Sequence, residues 1–346
     1  MEDFDGFYIG ALLLPLVFAV LLRMLRQKRK AGAAGMGMVL GWNAVLLGLL
    51  TSLLFLGGET YYRFMVDTTD TFAINKVSTR WGERYYSYNN FNSRDNVDFQ
   101  PQRTPGKRRV TFLGDSFTAG HGIKNLEHRL GNRIRAQHPE WEVHVMAVNG
   151  VESDVLKDFL IKIQRVDNYE LDVVVLGYCL NDISYLTEGI SDIYDRIYAF
   201  KDNLNWLERE SYLINTFAFR LMAMNEPAFD DYYQRLRDTY TGATWEQQKA
   251  TLTQMINYVR SQNAQLVVVG WPFINTIDDD YYFAEAHYKL QGFWKEQGVP
   301  HIDLWPVLAP HLDEELTVNA WDAHPNERAN EIVTSVVDSL LQQRVR

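Results

Sequence analysis

The residues best suited to chemistry in this chain are a serine about a third of the way along it and an acid and a histidine near its end. Ser116 closes the Gly-Asp-Ser sequence at 114–116, directly after the apolar, β-rich run 109–113. One residue separates Asp322 from His324 in the sequence Trp-Asp-Ala-His-Pro-Asn. A serine hydroxyl is a poor nucleophile at neutral pH and needs a base that a third group orients. Ser116 as nucleophile, His324 as base and Asp322 as its partner would supply the proton-transfer part of an acyl-transfer site.

Acyl transfer also needs hydrogen-bond donors aimed at the oxyanion that forms on the substrate. The side-chain amide of Asn181 can supply one, because Asn181 follows the strand predicted over 171–177 after a short Tyr-Cys-Leu step. The backbone N–H of Ser116 can supply another. We expect a third donor from the loop 148–154, which follows the strand predicted over 142–148.

These groups need a scaffold that brings distant segments together, and alternating strands and helices indicate one. Strands are predicted over 109–113, 142–148, 171–177, 265–270 and 299–304, and helices over about 125–138, 153–166, 245–262, 280–297 and 326–344. This alternation predicts an α/β fold with a mostly parallel sheet covered on both faces. Ligands bind at the carboxyl edge of such sheets. Ser116 and Asn181 should both lie at that edge, with Asp322 and His324 on a loop after the last strand.

Taken in order, these motifs resemble the conserved blocks of the GDSL/SGNH hydrolase family over about residues 109–344. The matching segments are Gly-Asp-Ser at 114–116, Gly-Tyr-Cys-Leu-Asn-Asp at 177–182 and Asp-Ala-His at 322–324. The resemblance implies a three-layer α/β/α, flavodoxin-like fold, and ester hydrolysis or acyl transfer without metal or cofactor. It also implies that Ser116 is the nucleophile and that Asn181 belongs to the oxyanion hole.

The remaining block of the family implies a further oxyanion donor, a glycine N–H. Here either Gly150 supplies it or Ser153 occupies that position. The spacing of two other blocks departs from the family pattern. The third block has Tyr-Cys-Leu between its glycine and its asparagine where one residue is usual, and the last block has one residue between its acid and its histidine where two are usual.

Two apolar runs at the start of the chain predict a membrane anchor. They cover about 7–25 and 36–56, and each is about 20 residues long, the span of a bilayer core. A basic cluster at 23–30 separates them and should stay cytoplasmic, while Glu2, Asp3 and Asp5 precede the first run. We therefore expect an integral, two-pass hairpin with both termini and the catalytic domain in the periplasm or outside the cell. A cleaved signal peptide is disfavoured by the acidic start, and a buried soluble hairpin by the uncharged second run.

Between the anchor and the sheet, residues 59–108 are polar and aromatic without long helical periodicity, and we interpret them as an extended strap. Residues 109–346 form the expected hydrolase domain. Within it, residues 183–244 break the alternation and are aromatic-rich and mainly helical, which indicates an insertion that caps the site. Its aromatic side chains would either line a pocket or form the core of that subdomain.

Composition excludes several other classes of function. The chain has 346 residues, 47% of them hydrophobic, and a net charge of −10. This acidic balance argues against nucleic acid as a partner, because phosphates require clusters of Lys and Arg. The single cysteine, Cys179, allows neither an intramolecular disulfide nor a cysteine-based zinc cluster. The histidines show no ligand spacing, so we predict no metal, and His121 is interpreted as a polar loop residue.

Three functions fit these observations. The first is a membrane-anchored esterase that removes acyl groups from a glycan, a lipid or a small ester. The second is an acyltransferase that uses the same serine to modify a cell-envelope polysaccharide beside a membrane-embedded acyl-donor protein. The third is a non-catalytic envelope scaffold. The sequence leaves the acyl group, its acceptor and the oligomeric state open.

Overall fold

The computed structural model describes residues 4–33, 35–278 and 280–345. Glu2 and Asp3, part of the acidic start of the chain, lie outside the described residues. The α-helices are α1 (Gly6–Lys30), α2 (Met36–Thr60), α3 (Lys76–Tyr85), α4 (Ser116–Ala119), α5 (Leu130–Gln137), α6 (Ser153–Arg165), α7 (Ile190–Asp202), α8 (Trp206–Glu210), α9 (Tyr212–Asn225), α10 (Ala228–Thr239), α11 (Gly242–Ser261), α12 (Ala284–Glu296), α13 (Trp305–Leu308) and α14 (Glu327–Gln342). The strands are β1 (Arg108–Gly114), β2 (Trp141–Ala147), β3 (Val173–Cys179), β4 (Gln265–Trp271), β5 (His301–Asp303), β6 (Thr317–Asn319) and β7 (Asp322–Pro325).

The chain divides into two compact units. The unit that we call the hairpin unit contains Met1–Thr68, Ile74–Trp81 and Tyr198–Asn225. The other, which we call the sheet unit, contains Thr69–Ala73, Gly82–Ile197 and Glu226–Arg346. The predicted strap and the predicted insertion therefore each contribute residues to both units.

A five-stranded parallel sheet in the order β2-β1-β3-β4-β5 forms the centre of the sheet unit. This is the flavodoxin-like order, whose direction switches between β1 and β3. All seven residues of β3 are buried, because helices cover both faces of a parallel sheet. Helix α5 packs against α14, and α6 packs against α11. The α/β fold expected from the sequence is confirmed.

The acid and histidine near the end of the chain lie on a strand and not on the loop that we expected. Residues 322–325 form β7, which pairs with β6 in an antiparallel hairpin. Helix α14 follows at once, and its cap residue Asn326 accepts hydrogen bonds from the N–H groups of Arg328 and Ala329. Four residues are too few for apolar alternation to reveal a strand in the sequence.

Two long apolar helices dominate the hairpin unit. Among the described residues, Gly6–Lys30 and Met36–Met65 are long and apolar enough to cross a membrane, with mean hydropathies of 2.2 and 2.0. They pack closely at Gly48, where an added Cβ would lie only 2.4 Å from Cε1 of Phe18. Most of their remaining surface is exposed, including Leu16, Leu47 and Leu54.

The segment expected to be an extended strap contains two helical stretches. The second apolar helix continues as a π-helical turn at Tyr61–Met65, and α3 follows at Lys76–Tyr85. Asn75 directly precedes α3, and its side chain accepts a hydrogen bond from the Ser78 N–H. Val77 and Trp81, four residues apart, share its buried face. This pair of apolar residues, four positions apart, is visible in the sequence.

Candidate active site

Ser116 lies where the sequence analysis placed it, at the carboxyl end of β1. Asp115 caps the short helix α4, and its side chain accepts a hydrogen bond from the Phe117 N–H. Ser116 is thus the first residue of α4, and its own N–H has no acceptor within the helix. The chain then turns at Gly120, which has φ +71°. The serine hydroxyl and a free N–H of the first turn therefore occupy the same end of the helix.

Two glycines at adjacent strand ends make room for the turn that carries Ser116. Gly114 of β1 pairs in register with Gly177 of β3. A Cβ on Gly114 would lie 2.2 Å from Thr118 Oγ1, and a Cβ on Gly177 would lie 2.1 Å from the same atom. The first glycine of each matching family segment thus allows α4 to pack directly on the sheet.

His324 completes a hydrogen-bonded relay with Ser116. Its Nε2 lies 2.8 Å from Ser116 Oγ, and its Nδ1 lies 2.6 Å from Asp322 Oδ1. The one-residue spacing works because alternate residues of a strand share a face, and Asp322 and His324 are both on β7. Asp322 Oδ1 also accepts a hydrogen bond from the His324 backbone N–H, at 3.1 Å. The three residues predicted to act together are therefore in contact.

Two threonines that the sequence analysis did not single out support this relay. Thr69 Oγ1 donates a hydrogen bond to Asp322 Oδ2, and Thr71 Oγ1 accepts one from the Ala323 N–H at 3.0 Å. The Thr71 N–H also donates to the Trp321 carbonyl, at 3.0 Å. Both threonines are about 250 residues away from β7 in sequence, so no local motif announces them.

The environment of Asp322 stabilises its ionised form. Burial opposes ionisation, but the charge and hydrogen bond of His324 outweigh it, with further help from His121 and Thr69. Together they hold the pKa of Asp322 well below its usual range. A carboxylate that stays charged here can stabilise a positive charge on His324 during a proton transfer.

His121, which was interpreted as a polar loop residue, lies in the turn after α4 and is buried beside His324. The centroids of the two rings are 4.6 Å apart. Nδ1 of His121 accepts from the Asn149 amide at 3.2 Å, so the ring proton lies on Nε2, which is 3.2 Å from the Asp70 carbonyl and 3.6 Å from Asp322 Oδ2. Burial, together with the charge of His324, lowers the pKa of His121 to about 4. His121 is therefore neutral near pH 7.

Asn181 lies next to the turn that carries Ser116, as expected. It follows β3 in the 3₁₀ turn Leu180–Leu186, and its amide donates to Asp115 Oδ2 at 3.4 Å. Burial raises the pKa of Asp115 to about 6, although His324, the Phe117 N–H and Asn181 act in the opposite direction. The side chain that caps the nucleophile helix thus also fixes the amide of Asn181.

The two alternatives for the third oxyanion donor differ in environment. Gly150 lies in an exposed turn with φ +71°, where a Cβ would meet nothing within 4 Å. Ser153 is the buried first residue of α6, and its hydroxyl accepts a hydrogen bond from Gln248 Nε2 at 2.8 Å. Ser153 has a backbone N–H to offer, and its hydroxyl, which only accepts from Gln248, also keeps its own proton.

A buried arginine holds the carboxyl end of α4. The guanidinium of Arg94 donates to the carbonyls of Ala119, Gly120 and Ile123 and lies 4.4 Å from the ring centroid of Tyr86. A cation at the carboxyl end of a helix complements the helix dipole. Arg94 comes from the segment predicted as a strap and was missed by the sequence analysis.

Metal coordination needs separate consideration, because two histidines and a carboxylate meet here. The ligand atoms of His121, Asp322 and His324 lie within 4.8 Å of one another. Both ring nitrogens of His324 already bond to Asp322 and Ser116. A metal bound by His324 would have to break one of these bonds, so the set as arranged suits proton transfer better than coordination.

The model of the family described as GDSL-like lipase/acylhydrolase matches residues 112–332. A search of curated protein sequences gave no match.

Among solved structures, one similar protein is a G-D-S-L family lipolytic protein from Veillonella parvula, with 13% identity, a TM-score of 0.42 and coverage of 68% of this chain and 99% of that chain. The psychrotrophic esterase EstA from Pseudoalteromonas sp. has 10% identity, a TM-score of 0.40 and coverage of 68% and 98%. A lipase/acylhydrolase from Enterococcus faecalis has 13% identity, a TM-score of 0.37 and coverage of 69% and 97%.

Proposed function

Because the chain belongs to the GDSL-like lipase/acylhydrolase family, we propose that it is a membrane-anchored serine hydrolase that cleaves carboxylic esters through an acyl-serine intermediate. The observation that carries the proposal is the continuous relay from Ser116 through His324 to Asp322, with bonds of 2.8 Å and 2.6 Å. The distances lie within the range expected of a nucleophile, its base and the group that orients the base.

In the proposed mechanism, Ser116 Oγ attacks the ester carbonyl carbon while His324 Nε2 takes the hydroxyl proton. The tetrahedral intermediate collapses when His324 returns that proton to the departing alcohol oxygen, which leaves the acyl group on Ser116. A water molecule then attacks the acyl carbon, again with His324 as base. His324 passes that proton to Ser116 Oγ as the acyl–oxygen bond breaks, and the acid is released. Asp322 holds the ring of His324 in place and stabilises its charged form in both steps.

The oxyanion would be held at the amino end of α4. The Ser116 N–H is one donor, and the Asn181 amide, fixed at 3.4 Å from Asp115, is the second. Gly150 and Ser153 are the candidates for a third, through a backbone N–H. Loss of one oxyanion donor costs about 10²–10³ in kcat, so Asn181→Ala should slow turnover by about that factor while Ser116 still reacts with a phosphonate.

Membrane anchoring is the second part of the proposal. The apolar helices Gly6–Lys30 and Met36–Met65 support two spans, and the basic residues between them support a cytoplasmic turn. Both termini and Ser116 would then lie outside the cytoplasm. Cysteine accessibility in intact cells tests this orientation: an impermeant maleimide should label a cysteine in place of Ser335 and leave one in place of Lys28 unlabelled.

The nucleophile is tested with an activity-based fluorophosphonate probe on the full-length protein in detergent. Native protein should be labelled, and Ser116→Ala and heat-denatured protein should not. Ser335→Ala, a change of an exposed serine on α14, is the matched control and should label fully. Labelling that survives in Ser116→Ala would refute the assignment, and a native protein that never labels would favour the scaffold.

Water as the acyl acceptor is tested by product analysis. With a short-chain aryl ester, and with candidate polysaccharides added, the acid released should equal the phenol released. A deficit of free acid, matched by acyl groups on the polysaccharide, would replace hydrolysis by acyl transfer from the same serine.

A further inference from the structure

Helix α9 carries apolar side chains on its outward face as well as on its buried face. Phe217, Leu221 and Met224 are 54%, 66% and 73% exposed, and their spacing of four and three residues puts them on one side of the helix. The opposite side buries Tyr212, Asn215, Thr216 and Phe219. A helix at a protein–water boundary keeps polar and charged side chains on its outer face, so water is not the medium for which this exposed stripe is suited.

The apolar stripe begins on the second apolar helix. Leu213, four residues before Phe217, contacts Gly58: a Cβ at Gly58 would lie 2.9 Å from Cδ2 of Leu213. The ring centroids of Phe217 and Tyr62 are 6.1 Å apart. The apolar run 36–56 is about 30 Å long at 1.5 Å per residue, which matches the hydrocarbon core of a bilayer. Gly58 and Tyr62 would then lie at the level of the lipid headgroups.

Helix α8 adds a second contact at the same level. Trp206 and Leu207 are 65% and 46% exposed. The ring centroid of Trp206 lies 5.6 Å from that of Phe7, the first residue of the first apolar run. Tryptophan and tyrosine concentrate at the boundary between hydrocarbon and water. Both apolar helices thus meet the segment 206–224 at the end where they would leave the membrane.

We propose that α9, with Trp206 and Leu207, lies in the interface of the leaflet in which the second span ends, and that lipid covers Phe217, Leu221 and Met224. The inference rests on the membrane anchoring proposed above and adds a contact outside both spans. Lipid is the occupant because the stripe is continuous with surfaces that the bilayer would already cover. An exposed apolar helix face can lie in the headgroup–acyl boundary with the helix axis parallel to the membrane.

The interfacial position of α9 is tested with labels at three positions of nearly equal exposure. Leu221→Cys reports on α9, Leu47→Cys on the second span and Val166→Cys on the sheet unit, with native exposures of 66%, 65% and 67%. Cys179 is buried and should stay unlabelled, which the native protein checks. Each variant is labelled with an NBD fluorophore and placed in nanodiscs of phosphatidylcholine and phosphatidylglycerol. Emission is then measured with spin-labelled lipid and, separately, with aqueous iodide.

We expect spin-labelled lipid to quench positions 47 and 221 and iodide to quench position 166. If spin-labelled lipid quenches position 47 while iodide quenches both 221 and 166, the interfacial helix is overturned and the anchor stays intact. A position 221 shielded from both quenchers would overturn it in favour of a protein partner or a second copy of the chain. If 47 itself is open to iodide and not to lipid, the anchor and the interfacial helix fail together.

Discussion

At the scale of single residues, the hydroxyl of Thr69 deserves a test because it reaches Asp322 from a distant part of the chain. Thr69→Val removes this donor from a buried carboxylate. Hydrogen bonds to charged groups contribute about 1.5–3 kcal/mol, so kcat should fall about 10–100-fold with little change in KM for a small ester. Thr69→Ser keeps the hydroxyl and should retain most of the activity. Equal kcat values for Thr69→Val and the native protein would exclude a role for this bond.

The raised pKa of Asp115 predicts that the stability of the folded protein depends on pH. Below its ordinary pKa of 3.8, Asp115 is protonated in both folded and unfolded chains. Between that value and about 6, the unfolded chain loses the proton and the folded protein keeps it, so stability falls as the pH rises through this window. The shift of about 2 units corresponds to roughly 3 kcal/mol.

Asp115→Asn removes this titration. The free energy of unfolding of the variant minus that of the native protein should therefore rise by roughly 3 kcal/mol between pH 4 and pH 7. Denaturant unfolding in detergent at a series of pH values measures it. A difference between the two proteins that stays constant across this range would show that Asp115 has an ordinary pKa in the folded state.

The sequence predicted roles for Ser116, Asp322 and His324 because the strand end before the serine and the acid–histidine pair before the last helix occur in the order of the family's segments. It did not predict Thr69 or His121. Their roles depend on burial and on contacts between distant segments. The residues next to Thr69 and His121 in the sequence do not reveal such contacts.

At the scale of elements, the fit between α4 and the ends of β1 and β3 depends on two glycines and one threonine. Gly177→Ala should destabilise the fold by about 1–3 kcal/mol through overpacking and slow the labelling of Ser116. The clash is with Thr118 Oγ1, since the next atoms lie at 3.4 Å or more. Adding Thr118→Ala to Gly177→Ala should therefore restore both properties, as measured by thermal unfolding and probe labelling rates.

Gly114→Ala provides the contrasting case. A Cβ there would also lie 2.8 Å from the backbone oxygen of Gly177. That oxygen cannot be removed by mutation, so Thr118→Ala should not rescue Gly114→Ala. Rescue of both alanine variants, or of neither, would contradict this account of how the nucleophile helix packs.

Most elements of the sheet unit were predictable because buried parallel strands are near-continuous apolar runs, such as 173–179. The hairpin of β6 and β7 was not, because its strands have only three and four residues. This hairpin also explains the spacing of the last family segment. On a strand, one residue between the acid and the histidine is enough to put both on one face.

At the scale of the whole molecule, a buried ion pair joins three distant segments of the hairpin unit. Arg63 contacts Glu59, Asp5 and the Glu210 carbonyl at 2.8–3.0 Å. Glu59 in turn accepts hydrogen bonds from Ser211 Oγ and from the first N–H groups of α9. A carboxylate at this position also complements the dipole of α9. Such contacts across about 150 residues have no local signature in the sequence.

Glu59→Leu leaves Arg63 buried with fewer partners and should cost about 3–5 kcal/mol. The double variant Glu59→Leu, Arg63→Leu should cost less than the sum of the two single changes, because no uncompensated charge remains. Thermal unfolding in nanodiscs measures the set. Arg196→Ala, which breaks an exposed ion pair with Asp231, is the control and should change stability by less than about 1 kcal/mol. Strictly additive costs would mean that the pair is not coupled.

In the proposed anchored protein, the position of Thr69 and Thr71 limits where the chain can be cut with the relay intact. These threonines follow the second apolar helix, which ends at Met65, by only a few residues. A cut between Met65 and Thr69 keeps both threonines, and their contacts to β7, on the fragment that carries Ser116. A cut after Thr71 separates them from it, and Asp322 loses the Thr69 hydroxyl. Even the first cut leaves Ser211 and the start of α9 bonded to Glu59, so the fragment should keep the relay and stay with the apolar helices.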